Sequence, residues 1–335
     1  MVLSVKDVAE RAGVSVGTVS NVLNGRSTVR PELAERVLDA VKDLGYIRND
    51  VARQLRAGAS RCIGMVVLDA SNPFFSGVAR GAEQNALQHE HVVLVGNSDE
   101  KVEREQMYLD LFEEQRVAGV LVSPVSRSIE RIRQLSQRGT PAILVDRVSS
   151  DGSFASVSVD NVAGGRMAVS HLLAEGRRNI VFVSGPLAQS QVADRLRGAQ
   201  AAVATVPGAR LLVFEAQGLT ADHVQQTAQQ FSSMLYEELP DAIFAANDLL
   251  ALAILQMVIA DGKLSVPRDV AIMGYDDIPY TRATPIPLTS VRQPAEKIGT
   301  VAIELLEHEI AASSVAEREQ VVFEPELVVR ASTAS

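Results

Sequence analysis

From Cys62 onward the chain alternates short apolar runs with helix-length amphipathic stretches, and few folds satisfy that rhythm. The runs are CIGMVVL (62–68), VVLVG (92–96), GVLVS (119–123), AILV (142–145), IVFVS (180–184), LLVFE (211–215), AIFAA (242–246) and VAIMG (270–274). They are continuous rather than alternating, as strands buried on both faces of a parallel sheet must be. The stretches between them, 77–88, 102–115, 129–138, 164–175, 192–204, 221–235 and 249–261, read as helices. The pattern restarts after residue 145. The chain is therefore expected to be α/β, with two lobes, each a doubly wound parallel sheet. Ligands in such sheets lie beyond the carboxyl ends of the strands. Between two lobes those ends line a cleft.

The residues at those ends are polar. Asp69, Ser71, Asn72, Phe74 and Phe75 come after the first run, Asn97, Ser98 and Asp99 after the second, and Asp146 and Arg147 after the fourth. Arg195 lies one helical turn into the helix after 180–184, Asn247 and Asp248 come after 242–246, and Tyr275, Asp276 and Asp277 after 270–274. Carboxylates and amides accept from hydroxyls, a guanidinium donates in a fork, and an aromatic face covers an apolar side. One such loop is most simply a turn; six together suit a small polar or polyhydroxylated ligand.

The first sixty residues have a different pattern. Ser4 with Asp7 forms a capping-box signature, and Val5, Val8, Ala9 and Ala12 share one helical face. Gly13 supplies a tight exit, Ser15 caps a second helix, and Val19, Val22 and Leu23 turn inward. Two short helices, a glycine turn and a small residue at the crossing read as a helix-turn-helix, presenting Val16, Gly17, Thr18, Ser20 and Asn21 outward. Pro31 opens a third helix with Leu33, Val37, Leu38, Val41 and Leu44 on its apolar face, although Arg30 is a poor cap. The organisation expected is a headpiece over 1–48, a hinge or linker over 49–60, and a body over 61–335. The body's first lobe takes about 61–160 and 292–320, its second about 161–291 and 321–335. In the linker, Leu55 is an apolar residue between Arg53 and Arg56. It either docks on its own body or wedges between base steps in a minor groove, and the residues alone leave these even.

Charge obeys the same division. Through Arg61 there are 10 Lys/Arg against 7 Asp/Glu; the rest carries 22 against 34. A basic end meeting phosphate and an acidic body fit that asymmetry. Cys62 is the single cysteine, which excludes an internal disulfide framework and favours a reducing, cytoplasmic location. Residues 1–15 are amphipathic and charged, unlike a secretory leader, and the longest apolar run, 249–260, contains Gln256 and is too short to span a bilayer. There is no G-x-G-x-x-G after a strand, no P-loop and no G-x-S-x-G, so no enzyme is expected. The five histidines are scattered; His89 and His91 suit a solvated turn better than a metal site, and no metal or cofactor is expected. A solute-binding protein without a DNA role shares the body pattern and stands as the alternative.

Taken together, seven motifs give the chain a family likeness: KDVAERAGVSVGTVSNVLNG (6–25), ERVLDAVKDLGYIRNDVARQLRAG (35–58), SNPFF (71–75), VSVDNVAGG (157–165), AANDLLALAIL (245–255), VAIMGYDDIP (270–279) and PLTSVRQPAEKIG (287–299). With them the chain resembles the LacI/GalR family of bacterial transcription regulators over essentially its whole length. The resemblance implies a homodimeric repressor of palindromic operator DNA, with a periplasmic-binding-protein-like body and a small effector such as a sugar, polyol or nucleoside. It implies that 16–23 enters the major groove, with Val16, Gly17 and Asn21 at base-discriminating positions and Ser15, Thr18 and Ser20 on phosphate or base edges. Leu55 matches the family's hinge leucine, accompanied by Ala52 and Arg53. Effector positions map to Phe75, Asp146, Arg195, Asn247 and Asp276, with Phe74, Gln189 and Gln191 beside them. Leu219 stands where members that bind sugars or nucleobases often carry an aromatic, and the five residues after Arg330 are too few for a tetramerising helix. Lobe closure would hinge about 159–161 and 290–293.

If Leu55 is a wedge, Leu55→Ala should weaken binding to a palindromic operator far more than binding to random duplex, measured by gel retardation at two salt concentrations; equal losses would count against it.

Overall fold

The computed structural model describes residues 3–23, 29–46, 60–125, 129–311 and 318–334. The chain divides into two compact units, Met1–Ala59 and Ser60–Ser335. Leu55, Ala52 and Arg53 lie outside the described residues, as do Asn24 and Gly25.

The first unit contains α1 (Val5–Ala12), α2 (Val16–Leu23) and α3 (Pro31–Leu44). Ser4 and Asp7 form the reciprocal capping box, with the Ser4 N–H and hydroxyl on the Asp7 carboxylate at 2.6 and 2.7 Å. Those bonds hold the Asp7 carboxyl below its usual range. Gly13 adopts φ 63°, the left-handed exit that a side chain disfavours. Val8, Ala9, Ala12, Val19, Val37, Ala40 and Tyr46 make a small core. Arg36 donates to the Ala12 carbonyl at 2.6 Å, a cation at the C-terminus of α1. The third helix departs from expectation at Leu38, which is 55% exposed; Ala40 takes its place inward. As expected, Arg30 offers no side-chain cap.

The second unit holds two six-stranded sheets. The first is ordered β11-β5-β4-β3-β1-β2, from β1 (Cys62–Val67), β2 (Val92–Asn97), β3 (Gly119–Val122), β4 (Ala142–Val145), β5 (Ala155–Val159) and β11 (Gln320–Phe323). All its pairings are parallel. The second is ordered β12-β10-β9-β8-β6-β7, from β6 (Asn179–Ser184), β7 (Arg210–Glu215), β8 (Ala242–Ala245), β9 (Ala271–Asp276), β10 (Thr289–Arg292) and β12 (Glu326–Val328). Its β10–β12 edge is antiparallel, a departure from an all-parallel sheet. The helices are α4 (Pro73–Gln88), α5 (Val102–Glu114), α6 (Ile129–Gln137), α7 (Asn161–Ala174), α8 (Ser190–Val203), α9 (Ala221–Glu238), α10 (Asp248–Asp261) and α11 (Ala295–Ala311).

Several helices begin earlier than their apolar pattern, because caps rather than core residues set their starts. Asn72 accepts from the Phe74 N–H at 3.0 Å with Pro73 behind it, and Asp160 accepts from the Ala163 N–H at 2.8 Å. Strands β5 (ASVSV) and β10 (TSVR) have no apolar run, because their buried serines and threonine are polar. Ser156 accepts from the Ser149 N–H, and Ser290 and Thr289 bond to Asp248 and Thr333. The chain crosses between lobes after β5, after β10 and between β11 and β12; the last crossing falls at 324–325, beyond the expected 320. His91 is not a solvated turn residue: its Nδ1 lies 2.8 Å from Glu307. Among the described residues no helix is long and apolar enough to cross a membrane.

In the first lobe, α4 and α11 cross in backbone contact. A Cβ on Gly81 would collide with the Glu296 carbonyl, and one on Gly299 with the Val78 carbonyl. Gly299→Ala should therefore destabilise the body by about 1–3 kcal/mol, read from urea denaturation.

Candidate functional site

Two surfaces concern function, one in each unit. On the first unit, Val16 is 45% exposed, Ser15 and Gly17 are exposed, and Thr18, Ser20 and Asn21 are half-buried. The Ser15 hydroxyl caps α2 by accepting from the Thr18 N–H at 3.1 Å, and it lies 2.9 Å from the Thr18 hydroxyl. Ser15 thus orients the helix start, while Val16 and Gly17 are the exposed first-turn residues. A valine methyl suits a thymine methyl, and glycine lets backbone approach a base edge.

On the second unit the strand ends of both lobes converge on one cleft. It is lined from the first lobe by Asp69, Asn72, Phe74, Phe75, Glu100 and Asp146. The second lobe supplies Gln189, Gln191, Arg195, Leu219, Asn247 and Asp276, and Gln293 stands at the β10–α11 crossover. All eight residues expected at an effector site line this one cavity. Phe74 and Phe75 pack edge to face with centroids 5.0 Å apart and form its apolar wall.

Arg195 is the hub of the second lobe's wall. It is 3% exposed; its Nε donates to Asn161 at 2.8 Å, its Nη1 to the Ala246 carbonyl at 2.6 Å, and its guanidinium lies 3.7 Å over the Tyr275 ring. A Cβ on Gly165 would strike the Arg195 carbonyl, so α7 and α8 must meet without a side chain there. Asp276 accepts from Gln293 at 2.7 Å and, across the cleft, from Asn72 at 3.4 Å. Asp146 and Asp276 have φ of 59° and 111°, rare for side-chain-bearing residues. Strain of that kind concentrates where a side chain must be aimed.

Burial sets the electrostatics. It pushes the Asp146 carboxyl up to about 7, against the pull of Arg195 and with the push of Asp276. Burial also raises Asp276, opposed by Arg195, Gln293 and Asn72. Beneath it, burial and the nearby Asp276 raise Asp248, whose oxygens accept from the Ser290 hydroxyl at 2.7 Å and the Ile278 N–H at 2.8 Å. Asp277 behaves oppositely. Burial would raise it, but Arg330 at 2.6 Å and Arg292 at 2.8 Å hold its carboxyl below the usual range. Three buried atoms on the cavity wall have no hydrogen-bond partner among the described residues: Asp69 Oδ2, Asp146 Oδ1 and Gln293 Oε1. Each is an acceptor when the carboxylates are ionised.

The strand-end pattern names Asp69 and Asn72, which the family's effector positions leave out, and it singles out neither Glu100 nor Gln293. Asn72 and Gln293 lie inside two of the family motifs, and Glu100 is one residue beyond the Asn97–Asp99 loop. Of the strand-end residues that the pattern does name, Asp248 and Asp277 lie beneath the cavity as supports, and Tyr275 lies under Arg195.

The chain matches two family descriptions: bacterial regulatory proteins, lacI family, over residues 4–49, and a periplasmic binding protein-like domain over 169–333. It is 35% identical to the ribose operon repressor of Bacillus subtilis (strain 168), over 90% of each chain. It resembles the lac repressor dimer bound to operator and an anti-inducer, with TM-score 0.84, 26% identity and 100% of each chain covered. A LacI family regulator from Enterococcus faecium with bound ribose matches with TM-score 0.73 and 29% identity, over 82% of this chain and 98% of that one.

The raised Asp146 carboxyl has a definite sign in stability. Its folded pKa exceeds its unfolded one, so the folded state holds the proton more tightly and stability falls as pH rises from about 4 to about 7. Asp146→Asn should accordingly raise the melting temperature of the unliganded protein at pH 8, by a margin that shrinks toward pH 4. A constant margin across that range would disprove this origin.

Proposed function

The chain belongs to the lacI family of bacterial regulatory proteins, and we propose that it is a cytoplasmic, dimeric repressor released from or driven onto its operator by a small neutral polyhydroxy effector. The carrying observation is the chemistry of the cleft. Unpartnered buried acceptors of the first lobe and the crossover, Asp69, Asp146 and Gln293, face one cavity beside an aromatic wall, and hydroxyls are the donors that answer them. Sugar is the simplest such ligand, and D-ribose is the first to try, since the ribose operon repressors and a ribose-bound regulator stand among its relatives. The alternative of a solute-binding protein with no DNA role is set aside by the match of 4–49 to the family's DNA-binding region.

In this reading α2 enters the major groove. Ser15, Thr18 and Ser20 meet phosphate or base edges, and Val16, Gly17 and Asn21 discriminate bases. Two copies read a palindrome, with Leu55, Ala52 and Arg53 on its central minor groove. Phe74, Phe75, Asp146, Gln189, Gln191, Arg195, Asn247 and Asp276 hold the effector. The ligand contacts both lobes, so it favours their closed arrangement by its differential affinity for the two states. That bias reaches the headpiece through the segment 47–59 that joins the two units, with a coupling of about 1–3 kcal/mol. The function is binding, and no turnover is assigned to it.

Purified protein should retard a palindromic duplex from its own upstream region, and D-ribose should change that retardation and raise the melting temperature. Asp276→Ala should abolish the response while leaving operator affinity within about twofold. A variant that still responds would remove Asp276 from the site.

A further inference from the structure

We propose that Glu100 is the specificity latch of the cleft: carried by one lobe and bonded to the other, it closes the cavity over a neutral, donor-rich ligand and excludes the phosphorylated form of that ligand. The proposal rests on the sugar-effector reading.

Glu100 reaches the cleft because the backbone turns it there. Asp99 and Glu100 come after β2 with φ of 55° and 56°, two consecutive left-handed residues with side chains. The turn is pinned by the Asp99 N–H on Asn97 Oδ1 at 3.3 Å and the Glu100 N–H on the Leu68 carbonyl at 3.2 Å. The two neighbouring carboxylates then part. Asp99 faces Lys101 at 2.7 Å and Arg104 at 3.2 Å on the outside, whereas Glu100 lines the cavity.

Its carboxylate reaches the opposite lobe. Glu100 Oε2 accepts from the Leu219 N–H at 3.2 Å, and the Gln189 side chain also bonds to it. Gly218 makes the approach possible, since a Cβ there would run into His223 Nδ1 and Glu100 Oε2. His223 in turn lies 2.9 Å from the Thr220 hydroxyl. Among the described residues this contact and the longer Asn72–Asp276 bond tie the walls together across the cavity.

The charge census gives the latch its selectivity. Asp69, Glu100, Asp146 and Asp276 line the cavity, burial already holds Glu100, Asp146 and Asp276 above the usual carboxylate range so that a further negative charge is disfavoured there, and the Arg195 guanidinium has its Nε and Nη1 committed to Asn161 and Ala246. A hydroxyl placed among those carboxylates donates to them. A phosphate carries about −1.5 to −2 charge and three acceptor oxygens, so it meets repulsion and finds acceptors where it needs donors. Glu100 lines the cavity and bridges to the opposite lobe, so a phosphate bound there would meet its carboxylate.

The test measures D-ribose and D-ribose 5-phosphate by calorimetry on the full-length protein at pH 7.5. Wild type should prefer the free sugar by about 100-fold or more, and Glu100→Gln, which keeps the shape and removes the charge, should cut that preference by about tenfold. Glu114→Gln, on the outer surface of α5, should leave it unchanged. Equal affinity of wild type for both compounds, or an unaltered preference in Glu100→Gln, overturns the selectivity while leaving a sugar effector in place. Binding of neither compound overturns the ribose assignment and the selectivity together. Closure is read without ligand, from the spin-label distance between Gln134→Cys and Gln229→Cys in a Cys62→Ser background. Glu100→Ala should lengthen or broaden that distance; an unchanged distribution overturns the latch.

Discussion

One buried guanidinium determines how the cleft is built. Arg195 ties α8 to α7 through Asn161, to the end of β8 through the Ala246 carbonyl, and to β9 through the Tyr275 ring. It is also the positive charge that offsets Asp146 and Asp276, both of which burial pushes toward neutrality. Buried charge is tolerated only where partners or nearby opposite charge replace water, and here one guanidinium, bonded to Asn161 and Ala246, lowers by its charge two carboxylates from two lobes. The left-handed turns that aim those carboxylates persist because the surrounding network over-determines them. Asp248, Arg292 and Arg330 grip Asp277 and Ile278, the residues just after the Asp276 turn, and Ser290 holds Asp248 in place.

Much of this was legible in the sequence, for a physical reason. A parallel strand buried on both faces must be a continuous apolar run, and six of the eight strands that stood out are of that kind; β2 and β7 are apolar too, but as edge strands they are largely exposed. Strands β5, β10, β11 and β12 did not stand out: β5 and β10 carry buried serines and a threonine, those of β10 satisfied by Asp248 and Thr333 from distant parts of the chain, and β11 and β12 are short. The cleft was legible as a class of position, since side chains at strand ends converge whatever their identity. Glu100 was not, because only its backbone turn distinguishes it from the outward Asp99 beside it. Leu38 failed the periodicity for the opposite reason: a fourteen-residue helix on a minimal core has too little apolar surface opposite it to cover every candidate.

The two surfaces divide the task of a regulator. Helix α2, the proposed DNA-reading helix, offers little side-chain chemistry at its start, with valine and glycine exposed and Ser15 engaged as a cap. The cleft, by contrast, concentrates polar chemistry from both lobes. A weakly informative reading head suits a protein whose operator choice also draws on symmetry and on duplex deformability.

The three crossings between lobes have a consequence for biosynthesis. Neither lobe is contiguous. The first sheet gains β11 only after residues 320–323, and the second depends on Ser332 and Thr333, which are fully buried against β9 and β10. As the chain emerges, the small helical unit has all its residues at hand when most of the body is still unmade, and neither sheet can be completed until residues 320–333 have appeared. The part that grips DNA is thus available early, and the part that senses the effector matures late and almost all at once.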